Sequence, residues 1–354
     1  MDSGGTNASE TMTLPPEAEA TDNLWRYLGV IIIIVGTISH TLSIMVLVSS
    51  KTLRNHSSTV YLVAMSLAGV VSLYTGLLRY VVLIGWSEWT LDIRSTSDAF
   101  CRIHMNITYA SLQYFAWLQA TIAVDRLVSV LLPHKYMTSC KWFTGLIVVI
   151  VELVVVLLLN SALAIKNGLS DSYCGFPDKK FKEIWGYADL ISYSLLPAVV
   201  MVVCNSVILH ILNRSKMKTG RDNSMARSLT VMLMSLNVIF LITTLPISVI
   251  FFIPNGEPHT RRYYQVELCW TIFSLLQYMG SACTFFIYCI TGSKFRAEFL
   301  KLPKTLCGLK LPDTRKNSIT VTTNCRQSPS PKNYRSLKVS LANNGETETD
   351  ADGV

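Results

Sequence analysis

Charged residues are scarce in this sequence, since Asp, Glu, Lys and Arg together make up 15% of the 354 residues. Soluble domains carry about 25% charged residues, whereas half of this chain is hydrophobic. Short segments of alternating polar and apolar residues are missing too, which excludes an outer-membrane β-barrel. The opening residues, MDSGGTNASE, lack the basic region and apolar stretch of a cleavable signal peptide. The first apolar segment is therefore expected to direct membrane insertion itself.

The patterns of several protein classes are also absent. The six His residues are scattered without metal-ligand spacing, so neither an enzyme nor a metal or other cofactor is expected. Internal repeats, which are typical of transporters, do not occur, and a transporter stays the more distant alternative. A channel would need a filter loop or rings of charged side chains, and the sequence shows neither. The net charge of +8 is assigned to loops that face anionic lipid of the bilayer, and no nucleic-acid binding is predicted.

Seven long apolar segments are present instead. Each has close to the ~20 residues that a helix needs to cross ~30 Å of hydrocarbon. They cover approximately residues 25–48, 59–84, 101–131, 142–163, 184–212, 226–252 and 265–291. We therefore predict an all-α membrane protein, with a seven-helix transmembrane bundle over residues 25–292.

Lys and Arg are distributed unevenly between the two ends of these segments. Residues 1–24 carry five acidic side chains and no Lys or Arg, while the loops after the first, third and fifth segments are basic. Because Lys and Arg are enriched in cytoplasmic loops, we expect an extracellular N-terminus and a cytoplasmic C-terminus in the plasma membrane. Residues 1–24 are predicted to be disordered, with Asn7 of Asn-Ala-Ser as a glycosylation site. The loop after the fourth segment, which holds four Lys, is an exception.

The chain after the last segment divides into two parts. In residues 293–306, Phe295, Phe299 and Leu302 recur at helical spacing opposite charged residues, which predicts an amphipathic helix on the membrane surface. Residues 307–354 are rich in Ser, Thr, Asn and Pro and are predicted to be disordered. Cys307 is a candidate palmitoylation site.

Two opposite charges, Asp125 and Arg126, stand side by side at the end of the third segment. Charges in a span are unfavourable and usually functional, although a lone pair can simply mark where a helix leaves the bilayer. Cys101 lies 25 residues before Arg126, which is ~37 Å of helix. Cys101 and Cys174 both fall at the outer surface, an oxidising side on which disulfides form.

These features, together with Pro197 in YSLLPAVV, Pro246 in TTLPISV and Tyr288 in FFIYCITGSKFR, resemble the rhodopsin-like family of G protein-coupled receptors. The phrases STVYLVAMSLAG, LPHKY and FFIYCITGSKFRAEF are most similar to neuropeptide receptors of the FMRFamide-receptor type. The resemblance implies kinks at both prolines and strengthens the case for the disulfide. It also implies an extracellular ligand, a heterotrimeric G protein inside, and arrestin and receptor kinases at the tail. The implied coupling switch consists of Asp125, which holds Arg126 at rest, Arg126 itself and Tyr288.

Departures from the family pattern concern its supporting polar positions. The span-two Asp that binds sodium in most members is Gly69 here, and the span-three partner position is Phe115. With no carboxylate left, we expect no sodium site. The other positions that differ are His40, Ala226, Thr244, Gly280, Thr284 and Phe285. Asp125 is then the one evident lock for Arg126, so a divergent receptor that couples weakly or is constitutively active stays an alternative.

Two charges lie within the outer halves of apolar segments: Arg79 in the second and Asp189 in the fifth. Each can pair with other buried groups or line a polar cavity. In the second case Arg79 would bind a carboxylate and Asp189 an Arg or amino group, which suits a short peptide with a basic side chain. The last segment has no Lys for a retinal Schiff base, and Thr108 replaces the Asp of amine receptors. The predicted ligand pocket comprises Arg79, Thr108, Tyr109, Gln113, Asp189, Trp270, Gln277 and Tyr278.

Overall fold

The computed structural model describes residues 15–50, 53, 56–87, 92–132, 141–170, 173–176, 178–219, 224–254 and 256–306. Side chains are not described for 141, 170, 173, 215–219, 224–233, 294 and 303–306. The chain divides into a unit of residues Met1–Lys310 and a unit of residues Leu311–Val354, and the second lies outside the described residues. The predictions for Asn7, Cys307 and the tail fall on residues that are not described.

In the described part of the chain, seven helical spans are followed by an amphipathic helix, and a short 3-10 helix, Ile93–Thr96, lies between spans two and three. Spans one to four are Pro16–Ser49, Ser57–Trp86, Asp98–Leu131, and Lys141–Leu159 with its continuation Ser161–Lys166. Span five consists of Lys179–Asp189, Leu190–Leu195 and Leu196–Thr219, and span six is Ser224–Ile250. Span seven consists of Arg261–Ala282 and Thr284–Thr291, which are bent by 47°, and the amphipathic helix is Ser293–Leu306.

By length and composition alone, spans one, two, four and five can each cross a membrane, and so can the bent span seven. Span three is helical over 34 residues but carries more polar side chains, and the described apolar part of span six is the shorter stretch Met234–Ile250. Span four shows most clearly what the surroundings are. Only 17% of its most apolar window is buried, and the exposed side chains include Ile147, Val151, Val155 and Leu158. Such a surface suits lipid rather than water.

Span one starts earlier than the composition suggests. Residues Pro16–Asn23 are helical, so the predicted disorder of residues 1–24 is wrong for this part. Pro16 begins the helix, at a position where the missing N–H is not needed for a hydrogen bond. Glu17 and Glu19 lie in the first turn, where acidic side chains interact favourably with the helix dipole. Glu17 also forms a salt bridge of 3.1 Å with Arg261 of span seven.

Both predicted kink prolines lie within helices. Pro246 is inside span six, and Pro197 follows the π-helical turn Leu190–Leu195 in span five. A proline in a helix removes one hydrogen bond and its ring meets the carbonyl four residues earlier, so a wider turn before Pro197 accommodates it.

A short antiparallel hairpin joins spans four and five, with β1 at Gly168–Ser170 and β2 at Tyr173–Gly175. Cys174 in β2 is disulfide-bonded to Cys101 in the first turn of span three, with 5.7 Å between the Cα atoms, as predicted. The end of the bundle that carries this disulfide is here called the outer end, and the opposite end is the inner end.

The amphipathic helix packs its apolar face on the bundle. Phe295 and Leu302 are buried, and the Phe299 ring lies 5.2 Å from the ring of Phe285 in span seven. The same face therefore completes the inner core, which is formed around buried Met65, Leu118 and Tyr288 of spans two, three and seven.

Candidate functional site

A cavity of about 740 Å³ opens among spans two, three, five, six and seven at the outer end, next to the hairpin. Seven of the eight predicted pocket residues line it: Arg79, Thr108, Tyr109, Asp189, Trp270, Gln277 and Tyr278. The cavity also has Tyr80, Asp92, Arg94, Lys182, Trp185 and Glu267 in its wall, which the sequence did not single out. Its wall thus combines aromatic rings with charges of both signs.

Gln113, the eighth predicted residue, lies behind the cavity wall. It is 2% exposed, and its amide nitrogen donates to the Asp189 carboxylate at 3.0 Å and to the Ser192 hydroxyl at 3.1 Å. Asn160 of span four donates to the Gln113 amide oxygen at 2.7 Å. The assignment of Gln113 to the pocket wall is therefore wrong, because its amide nitrogen holds Asp189 and its amide oxygen binds Asn160.

Asp189 presents a carboxylate to the cavity. Among the described residues it takes part in no salt bridge, and its hydrogen bond from Gln113 is to a neutral group. A carboxylate that is largely removed from water gains most from a cationic partner that can donate several hydrogen bonds. The expectation that Asp189 binds an Arg or amino group stays a prediction.

Arg79 departs from its predicted role. Its Nε and Nη2 atoms donate to the two carboxylate oxygens of Asp92, at 3.1 and 2.8 Å. Arg79 thus binds a carboxylate in the expected bidentate way, but this carboxylate belongs to the loop after span two rather than to a ligand. Asp92 lies thirteen residues after Arg79 in the sequence, and the course of the loop brings the two side chains together.

Arg94 is a second buried guanidinium on the same acid. It donates to Asp92 at 2.9 Å, to the carbonyl of Cys174 at 2.9 Å and to the sulfur of Met105 at 2.8 Å. Burial alone would raise the pKa of the Asp92 carboxyl, but the hydrogen bonds from Arg79 and Arg94 outweigh it and hold this pKa well below its ordinary value. The cluster Arg79–Asp92–Arg94 fixes the hairpin over the outer end of the bundle.

Replacing Asp92 with Asn is expected to lower the free energy of unfolding by about 3 kcal/mol, because two buried guanidinium groups lose their counter-charge. Thermal denaturation of the purified receptor measures this loss. Because the folded-state pKa is depressed, the contribution of Asp92 is present above pH ~4 and lost only as the pH falls further through the folded value. The difference between the two proteins should therefore be constant from about pH 8 to pH 5.

The matched control is Asp98→Asn, since Asp98 forms an exposed ion pair with Arg102, and Asn keeps an oxygen for the Leu169 N–H. Exposed ion pairs contribute little to stability. If the Asp92→Asn protein denatures at the same temperature as the Asp98→Asn protein, the cluster does not stabilise the outer end.

At the inner end, Asp125 and Arg126 are joined to span two by hydroxyl groups. Ser57 and Ser58 donate to the two carboxylate oxygens of Asp125, at 2.9 and 3.0 Å, and Arg126 donates to the hydroxyl of Ser58. The ion pairs among the described residues do not include Asp125 with Arg126. The expected direct lock is therefore replaced by a link through Ser58, whose hydroxyl donates to the acid and accepts from the base.

Tyr288 of span seven lies in the inner core of the bundle. Its side chain is fully buried, its ring lies 5.3 Å from that of Phe295, and its hydroxyl has no hydrogen-bond partner among the described residues. Tyr288 thus ties span seven to the amphipathic helix. The structure connects it with neither Asp125 nor Arg126 by a described hydrogen bond.

The position of the family's sodium-binding Asp is filled from span one. A Cβ atom on Gly69 would lie 2.4 Å from the ring of His40, which is itself buried. The His40 Nε2 atom lies 3.3 Å from the hydroxyl of Ser281 in span seven. An imidazole therefore occupies the space that a larger side chain at position 69 would need. The side chain of Ala226 lies outside the described residues.

Comparisons with known proteins agree with this architecture. The sequence profile of the family described as "7 transmembrane receptor (rhodopsin family)" matches residues 40–288. The mouse (Mus musculus) protein C-C chemokine receptor 1-like protein 1 is 23% identical over 296 residues, which cover 80% of this chain and 80% of that protein.

Proposed function

Because the chain belongs to the rhodopsin family of seven-transmembrane receptors, we propose that it is activated by a short extracellular peptide carrying a basic side chain. Members of this family are signalling receptors rather than enzymes, and they couple an extracellular ligand to a G protein. The outer end faces the outside of the plasma membrane in this proposal. The disulfide, which oxidising surroundings preserve, and the Lys and Arg of the opposite loops support that orientation.

The observation that carries the proposal is the carboxylate of Asp189 in the cavity wall, held by Gln113. Its cavity of about 740 Å³ falls in the range of ~300–1,000 Å³ that is usual for small ligands. A peptide of a few residues, or the end of a longer one, fits such a volume. The guanidinium of an arginine side chain would bind Asp189 with two parallel hydrogen bonds.

The other charges of the cavity favour a ligand with a neutral terminus. Asp92 already binds both Arg79 and Arg94, so a free ligand carboxylate would compete with an internal one. Tyr109, Trp185 and further rings in the wall offer apolar faces for aromatic side chains. An amidated peptide with arginine and aromatic residues combines these properties. The comparisons support the receptor family but not the FMRFamide-receptor subtype that the sequence phrases suggested.

A small folded protein is the second candidate ligand, because the mouse relative is named as a C-C chemokine receptor 1-like protein. A folded ligand would contact the loops as well as the cavity. If the ligand is a folded protein, the intact protein should activate the receptor and tetrapeptides should not.

Nucleotide exchange on membranes tests the proposal. Membranes from cells that express the chain should bind more GTPγS when amidated peptides containing arginine are added, and membranes without the receptor should not respond. A response to intact chemokines alone would overturn the peptide proposal. High exchange that no ligand raises would favour the constitutively active alternative, and no exchange at all would favour weak coupling. Arrestin and receptor kinases are proposed as further partners, on the Ser and Thr residues of the tail.

Sodium is expected to have no specific effect on this receptor. His40 occupies the space beside Gly69, and no carboxylate replaces the family's sodium ligand at that position. Replacing sodium chloride with an equal concentration of N-methylglucamine chloride should therefore leave the affinity for a labelled agonist peptide unchanged. If sodium lowers agonist affinity more than the bulky cation does, the bundle holds a cation site after all.

A further inference from the structure

Beneath the outer cavity lies a second, smaller chamber of about 20 Å³, which is large enough for one or two water molecules. Its wall is rich in hydroxyl and amide groups from spans two, three, six and seven: Ser72, Gln119, Thr243, Thr244, Ser281 and Thr284. Four residues line both spaces: Leu112, Tyr193, Gln277 and Tyr278. These four form the partition between the ligand cavity and the middle of the bundle.

Tyr193 is the partition residue from span five, and it contacts two other spans. Its hydroxyl accepts a hydrogen bond of 2.5 Å from the Gln277 amide of span seven. Its ring lies 6.3 Å from that of Phe240 in span six, edge to face. The neighbouring Ser194 hydroxyl lies 2.5 Å from that of Ser248, also in span six. Span five thus contacts span six and span seven at the same level of the bundle.

The same span carries the cation-binding group. Asp189 lies four residues before Tyr193, and both side chains line the outer cavity. A ligand group that binds Asp189 therefore meets the face of span five on which Tyr193 stands. On span six, the residue at the level of the partition is Thr244, which has a small side chain. The large aromatic side chains of the partition come from spans five and seven, as Tyr193 and Tyr278.

We propose that Tyr193 transmits ligand binding from the outer cavity to span six. A ligand bound at Asp189 displaces the Tyr193 hydroxyl from Gln277, and the released ring no longer holds Phe240. Span six then moves at its inner end, in the manner of a helix bundle with two stable arrangements. Tyr193 is a positioning residue in this scheme. The scheme rests on the proposed function for the identity of the ligand cavity.

The test measures span six directly and needs neither ligand nor G protein. Spin labels are placed at the inner ends of spans three and six in the full-length receptor, with the reactive cysteines replaced and the Cys101–Cys174 bond kept. Electron paramagnetic resonance then gives the distribution of distances. Tyr193→Phe removes one buried hydrogen bond, so the ligand-free population at long distance should rise about 2- to 10-fold. Gln277→Leu should give the same rise, and the double variant should add little to either.

Tyr114→Phe is the matched control. It also removes one tyrosine hydrogen bond between two spans, 3.0 Å to the Val149 carbonyl, but Tyr114 lines neither space. Its distance distribution should equal that of the wild type. Tyr193 does not transmit ligand binding to span six if the distance distributions of Tyr193→Phe and Gln277→Leu superimpose on that of the wild type. The same conclusion follows if Tyr114→Phe shifts its own distribution as strongly as they do. A failure of the peptide proposal would leave these ligand-free distances unaffected, so the two outcomes are distinguishable.

Discussion

Arg126→Ala is expected to reduce agonist-stimulated GTPγS binding to the level of membranes without receptor. In the structure Arg126 is joined to span two through Ser58, at the inner end where the G protein is proposed to dock. A movement of span three or span six that breaks this link would make the guanidinium available to the G protein. A buried charged contact at an interface contributes about 2–5 kcal/mol, which corresponds to a loss of ~30-fold or more.

Agonist binding is the internal control for this variant. The Arg126→Ala receptor should still bind labelled peptide at the outer cavity, which shows that it is folded and present in the membrane. Ser58→Ala, which leaves Arg126 in place but removes its link, should raise exchange without ligand. Normal agonist-stimulated exchange by Arg126→Ala would exclude Arg126 from the coupling switch.

Asp189→Asn is expected to weaken the potency of an arginine-containing peptide about 100-fold. Asn keeps the size of the side chain but leaves the ligand's cation without a counter-charge in a buried site, a loss of about 2–5 kcal/mol. Dose–response curves of exchange measure the potency. The matched control is Asp178→Asn, because Asp178 is an exposed helix cap outside the cavity wall and Asn caps helices equally well. Equal potency on both variants would show that Asp189 does not contact the ligand.

The architecture followed from the sequence because hydrophobic length is a local property. Seven apolar segments predicted seven spans, and two cysteines at the outer surface predicted the disulfide. The start of span one was missed, since the polar helix Pro16–Asn23 is stabilised by contacts such as Glu17 with Arg261, which are distant in sequence.

Most of the lining of the outer cavity could be predicted from the sequence, whereas its role as a ligand pocket stays a prediction. Residues on the outer halves of spans tend to face a common cavity, and seven of the eight assignments line it. Whether a polar residue faces the cavity or supports its wall depends on the rotation of each helix, which hid the role of Gln113. The partners of Arg79 and Asp125 come from a loop and from another span, and sequence spacing contains no information about either.

Two peptides that differ by one charge test most sharply whether Asp189 recognises a cation on the ligand. An amidated tetrapeptide with arginine and aromatic residues, such as Phe-Met-Arg-Phe-amide, is paired with the same peptide carrying citrulline, which has the shape of arginine without its charge. In GTPγS exchange, the arginine peptide should be about 100-fold more potent on the wild type, and the two should be nearly equal on Asp189→Asn. Equal potency of both peptides on the wild-type receptor, or no response to either, would contradict a peptide receptor that recognises a cation through Asp189.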